Sequence, residues 1–156
     1  MTVLAPEDLY RLLGVPPEKI DCAGLRLTLA QVYRLGSRGL ITRDHVEIPQ
    51  YIEISPRDNM FRLEPGAYLV RYNEYIRVPE NTIALAIQRS SLLRIGATLY
   101  TAVWDPGYEG RGAGLLVVHN RYGIELEKGT QIAQLVYIKM TRKTNRIYRG
   151  RYYGEG

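Results

Sequence analysis

The sequence predicts an all-β domain, of the sandwich, jelly-roll or closed-barrel kind, preceded by one short helix. Apolar residues alternate in LRLTLAQVY (25–33) and AYLVRYNEY (67–75), as expected of strands with one buried face. TIALAIQ (82–88) is apolar on both faces, which favours a strand buried on both sides. Turn-forming residues such as Glu64-Pro65-Gly66 and Lys128-Gly129 separate roughly nine such segments. This spacing is typical of a closed or two-layered β-architecture.

The helix is predicted close to the N-terminus. Pro6 suits a first helical turn, and Glu7 and Asp8 favour the positive end of the helix dipole. Gly14 and the following proline pair end the helix. Its apolar face carries three leucines, Leu9, Leu12 and Leu13.

Size and composition fit a single domain. The chain has 156 residues, of which 46% are hydrophobic and 24% charged, and it can bury a core without disulfides. No apolar run is long enough to cross a bilayer. The single cysteine, Cys22, excludes an internal disulfide and a cysteine-cluster metal site. The first fourteen residues hold two acids and one arginine, which is the wrong pattern for a secretory signal, so we expect a cytoplasmic location.

The net charge of +5 favours anionic partners, either a phosphorylated small molecule or nucleic acid. A basic surface that is merely solvated is the equally weighted alternative. Much of the excess lies in the last eighteen residues. There the cations are Lys139, Arg142, Lys143, Arg146, Arg149 and Arg151. We expect residues 1–140 to form the single β domain and residues 141–156 to form a basic, mobile tail that orders against a partner or ligand.

RSSLLR (89–94) is the first candidate for chemistry. Ser90 or Ser91 can N-cap a short helical turn, which leaves backbone N–H groups at its positive end. Arg89 and Arg94 add forked donors that suit phosphate oxygens. The alternative is an ordinary serine cap beside solvated arginines.

TAVWDPGYEG (101–110) is the second candidate. Asp105 emerges at a predicted strand end beside a Pro-Gly turn, where it could orient a water or simply cap the turn through its own backbone. Tyr108 could contact a ligand or cover the turn. The gap back to RSSL leaves room for one hairpin, so we expect the hairpin to bring Asp105 and the arginines together.

GTQIAQLVY (129–137) contributes a third candidate, Gln134, whose amide needs a partner if the strand is buried but none on a solvent-facing edge. His45 and His119 show no metal-ligand spacing with each other or with Cys22, so no protein metal site is predicted. Zinc deaminases need an H-x-E together with a P-C-x-x-C, and the P-C-x-x-C is absent from the sequence.

Taken in order, RSSL, TAVWDPGYEG, GTQIAQL and the terminal NRIYRGRYYGE resemble the dUTPase and dCTP deaminase superfamily, and most of all the compact archaeal-type dUTPases. The upstream IDCAGLRLTLAQVYRL is similar to the first motif of that superfamily. The resemblance implies a distorted jelly-roll or β-barrel protomer and a homotrimer with active sites shared between subunits. It also implies a deoxynucleoside triphosphate substrate whose phosphates bind Mg²⁺, with no nucleic-acid or membrane partner.

The resemblance assigns roles to individual residues. Asp105 becomes the catalytic residue that positions the nucleophilic water, and Tyr108 packs against the deoxyribose. Gln134 becomes a phosphate-side or Asp-supporting amide. Tyr148 and Arg151 bring the tail over the nucleotide of a neighbouring site. The remaining substrate-binding residues contact phosphate: Arg89, Ser90, Ser91 and Arg94.

Two departures from the family pattern affect the predicted activity. Arg26 stands where relatives usually carry an aspartate that supports the magnesium–water shell. The strand after the D-P-G turn, Leu115 to Val118, carries no acid where deaminases place a glutamate. We therefore predict a dUTP diphosphatase that produces dUMP and pyrophosphate. The alternatives are a dCTP deaminase or bifunctional enzyme, a non-catalytic nucleotide-binding homologue, and a basic barrel that binds single-stranded nucleic acid through tyrosines.

Overall fold

The computed structural model describes residues 2–156, and these form an all-β domain with a short N-terminal helix, as predicted. The helices are α1 (Pro6–Leu13) and α2 (Ser90–Arg94), and a 3₁₀ turn spans Pro17–Lys19. The strands, in chain order, are β1 (Thr2–Val3), β2 (Leu25–Leu35), β3 (Leu40–Ile41), β4 (Val46–Glu47), β5 (Tyr51–Ile54), β6 (Met60–Leu63), β7 (Gly66–Tyr72), β8 (Ile76–Arg77), β9 (Thr82–Gln88), β10 (Ala97–Tyr100), β11 (Glu109–Gly110), β12 (Ala113–Val118), β13 (Ile124–Glu127) and β14 (Gln131–Lys139).

Helix α1 begins and ends where the sequence indicates. Pro6 opens the first turn, and Gly14 ends the helix in the left-handed region at φ 62°, which a residue with a Cβ adopts only with strain. The Gly14 N–H donates to the Tyr10 carbonyl at 3.1 Å. Leu9 is fully buried, so the helix packs one apolar side onto the β domain. Neither described helix is long and apolar enough to span a membrane.

The main sheet is antiparallel throughout and curls into a half-barrel. Its order is β1-β14-β2-β7-β12-β10, with β9 added to β14 and β5 added to β2. Strand β2 is long enough to pair with three neighbours, and its ladder with β7 shifts register between Leu29 and Gln31. Three two-stranded pairs, β8 with β11, β6 with β13 and β3 with β4, complete the fold.

The core fills the concave side of the curl. Its largest fully buried side chains come from six strands and α1: Tyr72, Tyr137, Phe61, Leu9, Leu27, Leu29, Ile76, Leu116, Ile132, Leu135, Val32 and Val70. Burying apolar side chains of this size is the main favourable term for a domain of this length.

Strand β9 differs from the prediction of a strand buried on both faces. Ala84 and Ala86 face the core, but Ile87 on the opposite face is 51% exposed. Ile83 and Leu85 share that outer face and are partly exposed. The sequence pattern was correct about the apolar character of both faces, but this chain alone covers only one of them.

Candidate active site

A cavity of about 390 Å³ opens beside the turn that carries Asp105, and we call it the Asp105 cavity. Besides Asp105, its walls contain the carboxylate of Glu155 and the small residues of β12. Five aromatic side chains line it: Tyr51, Trp104, Tyr108, Tyr148 and Tyr152. A largely apolar cavity with two carboxylates at its edge is a common form of small-ligand site.

Backbone hydrogen bonds fix the turn that presents Asp105. Trp104 exchanges two bonds with Ala84 of β9, at 2.9 and 3.0 Å, and the Tyr108 N–H donates to the Asp105 carbonyl at 3.1 Å. The Asp105 side chain is exposed, and its carboxylate makes no hydrogen bond or ion pair with the residues that the structure describes. The turn therefore holds without the carboxylate, and the Asx-turn alternative is not what this backbone adopts.

Tyr108 lies in a chain of aromatic rings. Its centroid is 5.3 Å from Trp104, edge to face, and 5.5 Å from Tyr148. Its hydroxyl is buried and has no hydrogen-bond partner within residues 2–156. Burial raises the pKa of the Tyr108 phenol to about 12, so the ring stays neutral at physiological pH. The cavity therefore presents an uncharged aromatic surface next to Asp105.

The C-terminal tail forms part of the wall of the cavity in its own chain. The Tyr148 N–H donates to Pro106 at 2.9 Å, and the Arg111 N–H donates to the Glu155 carbonyl at 2.8 Å. The Glu155 carboxylate pairs with Arg71 of β7 at 2.7 Å. We expected the tail to close over a neighbouring copy, whereas the described chain places Tyr148 on its own Tyr108.

Arg151, the other predicted tail contact, lies away from the Asp105 cavity. Its guanidinium donates to the carbonyl of Val46 in β4 at 3.3 Å, and its side chain is exposed. Of the two tail residues singled out from the sequence, only Tyr148 lines the cavity.

The predicted phosphate-binding segment forms α2, but its cap differs from the one predicted. The N-cap residue is Arg89, with no side-chain capping bond, and Ser90 and Ser91 occupy the first turn. Both serines and Arg94 are exposed, while Leu92 is buried and fixes the helix to the core. The serine hydroxyls therefore remain free of the capping role.

Arg89 is held by two residues that the sequence analysis did not single out. Its Nη1 contacts the Gln131 Oε1 and lies 3.7 Å from the Asp21 carboxylate. Its backbone N–H donates to Ile132 at 2.9 Å. We call Arg89, Gln131 and Asp21, together with the exposed residues of α2, the Arg89 cluster. Gln131 stands in the same GTQIAQL motif as Gln134, so the contact to Arg89 comes from the other glutamine of that motif.

Gln134 lies on the same side of the molecule as the Arg89 cluster. In the β14 ladder it is opposite Ile87 of β9 on one side and Arg26 of β2 on the other. Its Oε1 is buried and has no partner among the described residues. Ile87 is two residues before Arg89, so Gln134 stands near α2 and not near Asp105.

The Asp105 cavity and the Arg89 cluster lie at opposite ends of β9. Trp104 pairs with Ala84 near the start of this seven-residue strand, and α2 follows its end. A strand rises about 3.3 Å per residue, so roughly 20 Å separates Asp105 from Ser90. The expectation that one hairpin brings them together is wrong, because the chain returns antiparallel along β9. One chain thus holds the Asp105 cavity and the Arg89 cluster as two separate groups of residues.

Strand β12 brings Leu115 to the face of the sheet on which the cavity opens. Leu115 is opposite Leu69 of β7 and Tyr100 of β10, and it shares its face with the cavity-lining Ala113. The apolar residue therefore occupies the cavity side of the sheet. His119, further along the same face, is exposed, with its Nε2 3.1 Å from the Thr98 hydroxyl.

Within residues 2–156 no group of three or more His, Cys, Asp and Glu side chains is placed to hold a metal ion. The Asp105 cavity has two carboxylates, the exposed Asp105 and Glu155, which pairs with Arg71, and the Arg89 cluster has one, Asp21, which accepts from Gln131. Hard cations such as Mg²⁺ prefer oxygen ligands and bind readily through one or two carboxylates plus substrate phosphates. This donor set fits an ion that arrives with a phosphorylated ligand.

Comparisons with known proteins agree with this architecture. A family model described as dCTP deaminase-like matches residues 9–140. A probable deoxyuridine 5'-triphosphate nucleotidohydrolase of Aeropyrum pernix is 39% identical over 137 residues, covering 88% of this chain and 86% of that protein. The deoxyuridine 5'-triphosphate nucleotidohydrolase of Methanocaldococcus jannaschii is 40% identical over 141 residues, covering 88% of each.

A solved structure supports the same fold. The 2'-deoxycytidine 5'-triphosphate deaminase from Agrobacterium tumefaciens superposes with a TM-score of 0.69 at 18% identity, over 90% of this chain. This chain spans about half of that protein, 49% of its length. On the match of the family model and the identity of the archaeal relatives, the chain belongs to the dCTP deaminase-like family, beside archaeal proteins named deoxyuridine triphosphate nucleotidohydrolases.

Proposed function

We propose that this protein is a dUTP diphosphatase, which hydrolyses dUTP to dUMP and pyrophosphate in the cytoplasm. The observation that carries the proposal is the exposed Asp105 carboxylate at the rim of the aromatic Asp105 cavity. The names of the archaeal relatives, 39% and 40% identical over most of the chain, give the substrate.

The chemistry that fits is attack of water on the α-phosphorus. Asp105 orients the water and accepts its proton, a bond forms between the water oxygen and the α-phosphorus, and the α–β bridging bond breaks to release pyrophosphate. An unpaired carboxylate on a rigid turn suits this role, because its lone pairs are available and its position is fixed.

The Arg89 cluster supplies the phosphate half of the site. Arg89 and Arg94 carry positive charge, and the serine hydroxyls at the start of α2 are exposed donors. Fixed cations and donors stabilise negative charge that builds up on phosphoryl and leaving-group oxygens. Since one chain separates this cluster from Asp105 by roughly 20 Å, a complete site combines the Asp105 cavity of one copy with the Arg89 cluster of another.

The outer face of β9 and β14 supports assembly with other copies. Ile83, Leu85 and Ile87 leave apolar surface partly exposed on β9, and Gln134 on β14 has a buried acceptor without a partner. Unpaired buried acceptors are costly, and a second copy can both cover the isoleucines and donate to Gln134. A homotrimer satisfies these requirements and is the assembly that we propose.

Base and sugar bind in the Asp105 cavity. The neutral ring of Tyr108, held between Trp104 and Tyr148, offers a flat surface to a deoxyribose and little room for a 2′-hydroxyl. The tail closes one side of the cavity through Tyr148 and Tyr152. Mg²⁺ held by the substrate phosphates would neutralise charge on the leaving pyrophosphate.

Deamination of dCTP fits the same fold less well. Deamination requires a proton shuttle at the cytosine ring. On the cavity side of the sheet, β12 carries the apolar Leu115. His119 lies four residues further along the strand, about 13 Å away. No side chain of β12 within reach of the cavity is therefore an acid or base.

The test is a substrate panel with the purified protein: dUTP, dTTP and UTP, each with Mg²⁺ and with an excess of chelator. We expect dUMP and pyrophosphate from dUTP, much slower hydrolysis of UTP, and loss of activity when the metal is removed. Equal rates for UTP and dUTP would show that the cavity does not select the sugar, and no hydrolysis of any triphosphate would contradict the proposal.

A further inference from the structure

Asp21 lies in the turn before β2 and holds a carboxylate in an unusually complete set of contacts. Its Oδ1 accepts from the Cys22 N–H at 2.9 Å, and its Oδ2 accepts from the Gln131 Nε2 at 2.8 Å. The Arg89 Nη1 lies 3.7 Å from the same Oδ2. The Asp21 side chain is only 18% exposed, so these contacts replace most of its hydration.

Gln131 relays the negative charge of Asp21 to Arg89. Its Nε2 donates both to Asp21 and to the Ala133 carbonyl, the latter at 3.2 Å. Because both of these partners are acceptors, the amide can present only its Oε1 to the Arg89 guanidinium. Rotating the amide by half a turn would set its NH₂ against a cation and its oxygen against a carboxylate. The charge of Asp21 therefore fixes the direction of the amide.

Arg89 is correspondingly restrained at both ends. Its backbone N–H donates to Ile132 at 2.9 Å, and its Nη1 is held by Gln131. The side chain is still 44% exposed, so its other N–H groups face solvent beside α2. A guanidinium offers five N–H donors in a rigid, planar group. A hydrogen bond that fixes one N–H therefore also fixes the directions of the other four.

The ionised state of Asp21 is supported by its surroundings. The hydrogen bond from Gln131 and the Cys22 N–H, with the charges of Arg26 and Arg89, hold the pKa of Asp21 below its ordinary value. Asp21 is therefore ionised across the physiological pH range. We call its contact with Gln131, and that of Gln131 with Arg89, the relay.

We propose that Asp21 is a positioning residue for catalysis: acting through Gln131, it orients the Arg89 guanidinium toward the substrate phosphates. This inference rests on the proposed function. It also assigns a role to Gln131, the first glutamine of GTQIAQL. The orientation of Arg89 then depends on Asp21, which is 110 positions from Gln131 in the sequence.

The test is a double-mutant cycle with Asp21→Asn and Arg89→Ala. Asparagine keeps the shape of Asp21 but removes the charge and one of the two acceptor oxygens, so the hold on the Gln131 amide, and through it on Arg89, is weakened. We expect Asp21→Asn to raise KM for dUTP on the order of tenfold, the effect of one charge-assisted hydrogen bond, with little change in kcat. In the Arg89→Ala background the same substitution should have no further effect.

A matched control and a second variant keep the outcome clear. Glu125→Gln removes a carboxylate from another arginine pair, Arg62–Glu125, on the distant β6–β13 ribbon, and should leave KM unchanged. Gln131→Met removes the relay at similar volume and should reproduce the KM of Asp21→Asn. Equal losses from Asp21→Asn with and without Arg89, or a fall in melting temperature with no change in KM, would overturn the inference.

Binding of the non-hydrolysable α,β-imido analogue of dUTP, measured by calorimetry on the same variants, separates this inference from the proposed function. Coupling between Asp21 and Arg89 in binding, without turnover of dUTP, would support the relay and refute the diphosphatase. Turnover without coupling would refute the relay and leave the diphosphatase in place.

Discussion

At the scale of single residues, the Asp105 carboxylate is unpaired in the described part of the chain because backbone hydrogen bonds alone stabilise the turn on which it lies. Trp104 is fixed to Ala84, and the Tyr108 N–H closes the turn on the Asp105 carbonyl. The carboxylate has no structural task within residues 2–156, and it stands beside a cavity large enough for a nucleoside. A functional role explains its placement better than a capping role does.

Replacing Asp105 with asparagine tests that role. We expect Asp105→Asn to lower turnover of dUTP by ~10²–10⁴-fold, because the proton acceptor is lost while the shape is kept. Calorimetry should show that the imido analogue still binds. The control is Glu109→Gln, a neighbouring carboxylate that contacts Arg77 at 3.9 Å outside the cavity and should keep its activity. Near-normal turnover of Asp105→Asn would mean that another group activates the water.

The lowered pKa of Asp21 predicts how the stability of the protein depends on pH. Its pKa in the folded chain lies below the ordinary value of 3.8, so it contributes stability above about pH 4 and loses that contribution as the pH falls through the folded-state pKa. The melting temperature of Asp21→Asn should therefore fall below that of the unchanged protein at neutral pH, with the difference shrinking toward pH 3. A difference that stays constant from pH 7 to pH 3 would contradict the charged relay.

The residues of the site divide into those with a local signal and those without one. Asp105 and Tyr108 stand in one short motif, and the structure places both at one cavity. Asp21 and Gln131 are 110 positions apart, and Arg71 and Glu155 are 84 apart. Such pairs exist only after the strands have paired, and no spacing in the sequence indicates them.

At the scale of elements, the same contrast holds. Helix α1 was predicted correctly because its proline, acids and terminal glycine act locally. The strands with clear alternation were also predicted, but the structure has fourteen strands in residues 2–156 where about nine were expected. The additional ones, such as β3, β4 and β11, are two residues long, and pairing partners define them more than side-chain pattern does.

The role of the C-terminal tail in the Asp105 cavity can be tested by deletion. It contributes Tyr148 and Glu155 to the cavity, and Glu155 is anchored by Arg71. Deleting residues 146–156 should lower kcat by about tenfold or more, since the cavity loses one wall, while the melting temperature changes little. Lys143→Gln, which removes only the pair of the tail with Glu80, is the control and should stay active. Parallel losses of activity and melting temperature would indicate a structural tail.

At the scale of the whole molecule, the proposed function joins the Asp105 cavity of one copy to the Arg89 cluster of another. A single β9 separates them, so neither half can serve the other within one chain. The partly exposed isoleucines of β9 and the unpartnered Gln134 acceptor lie on the face that we propose a second copy covers. Assembly and activity should therefore be inseparable.

Mixing inactive variants tests the shared site. Asp105→Asn chains are expected to be nearly inactive, and Arg89→Ala chains to have little activity at dUTP concentrations far below their raised KM. After denaturation together at equal amounts and refolding, random assembly should restore about a quarter of the sites, because one copy supplies Asp105 and its neighbour supplies Arg89. No recovery in properly assembled mixtures would place both groups in one chain and contradict the two-copy site.

The central claim is hydrolysis of dUTP without deamination, and a side-by-side assay of dUTP and dCTP tests it most directly. Products are separated by chromatography, with pyrophosphate and ammonia quantified in the same samples. Strand β12 presents Leu115 and no acid or base on the cavity side of the sheet, so we predict dUMP and pyrophosphate from dUTP, and neither ammonia nor any uracil nucleotide from dCTP. Ammonia release from dCTP at a rate comparable to dUTP hydrolysis would contradict the account and make His119 and Glu109 the first residues to replace.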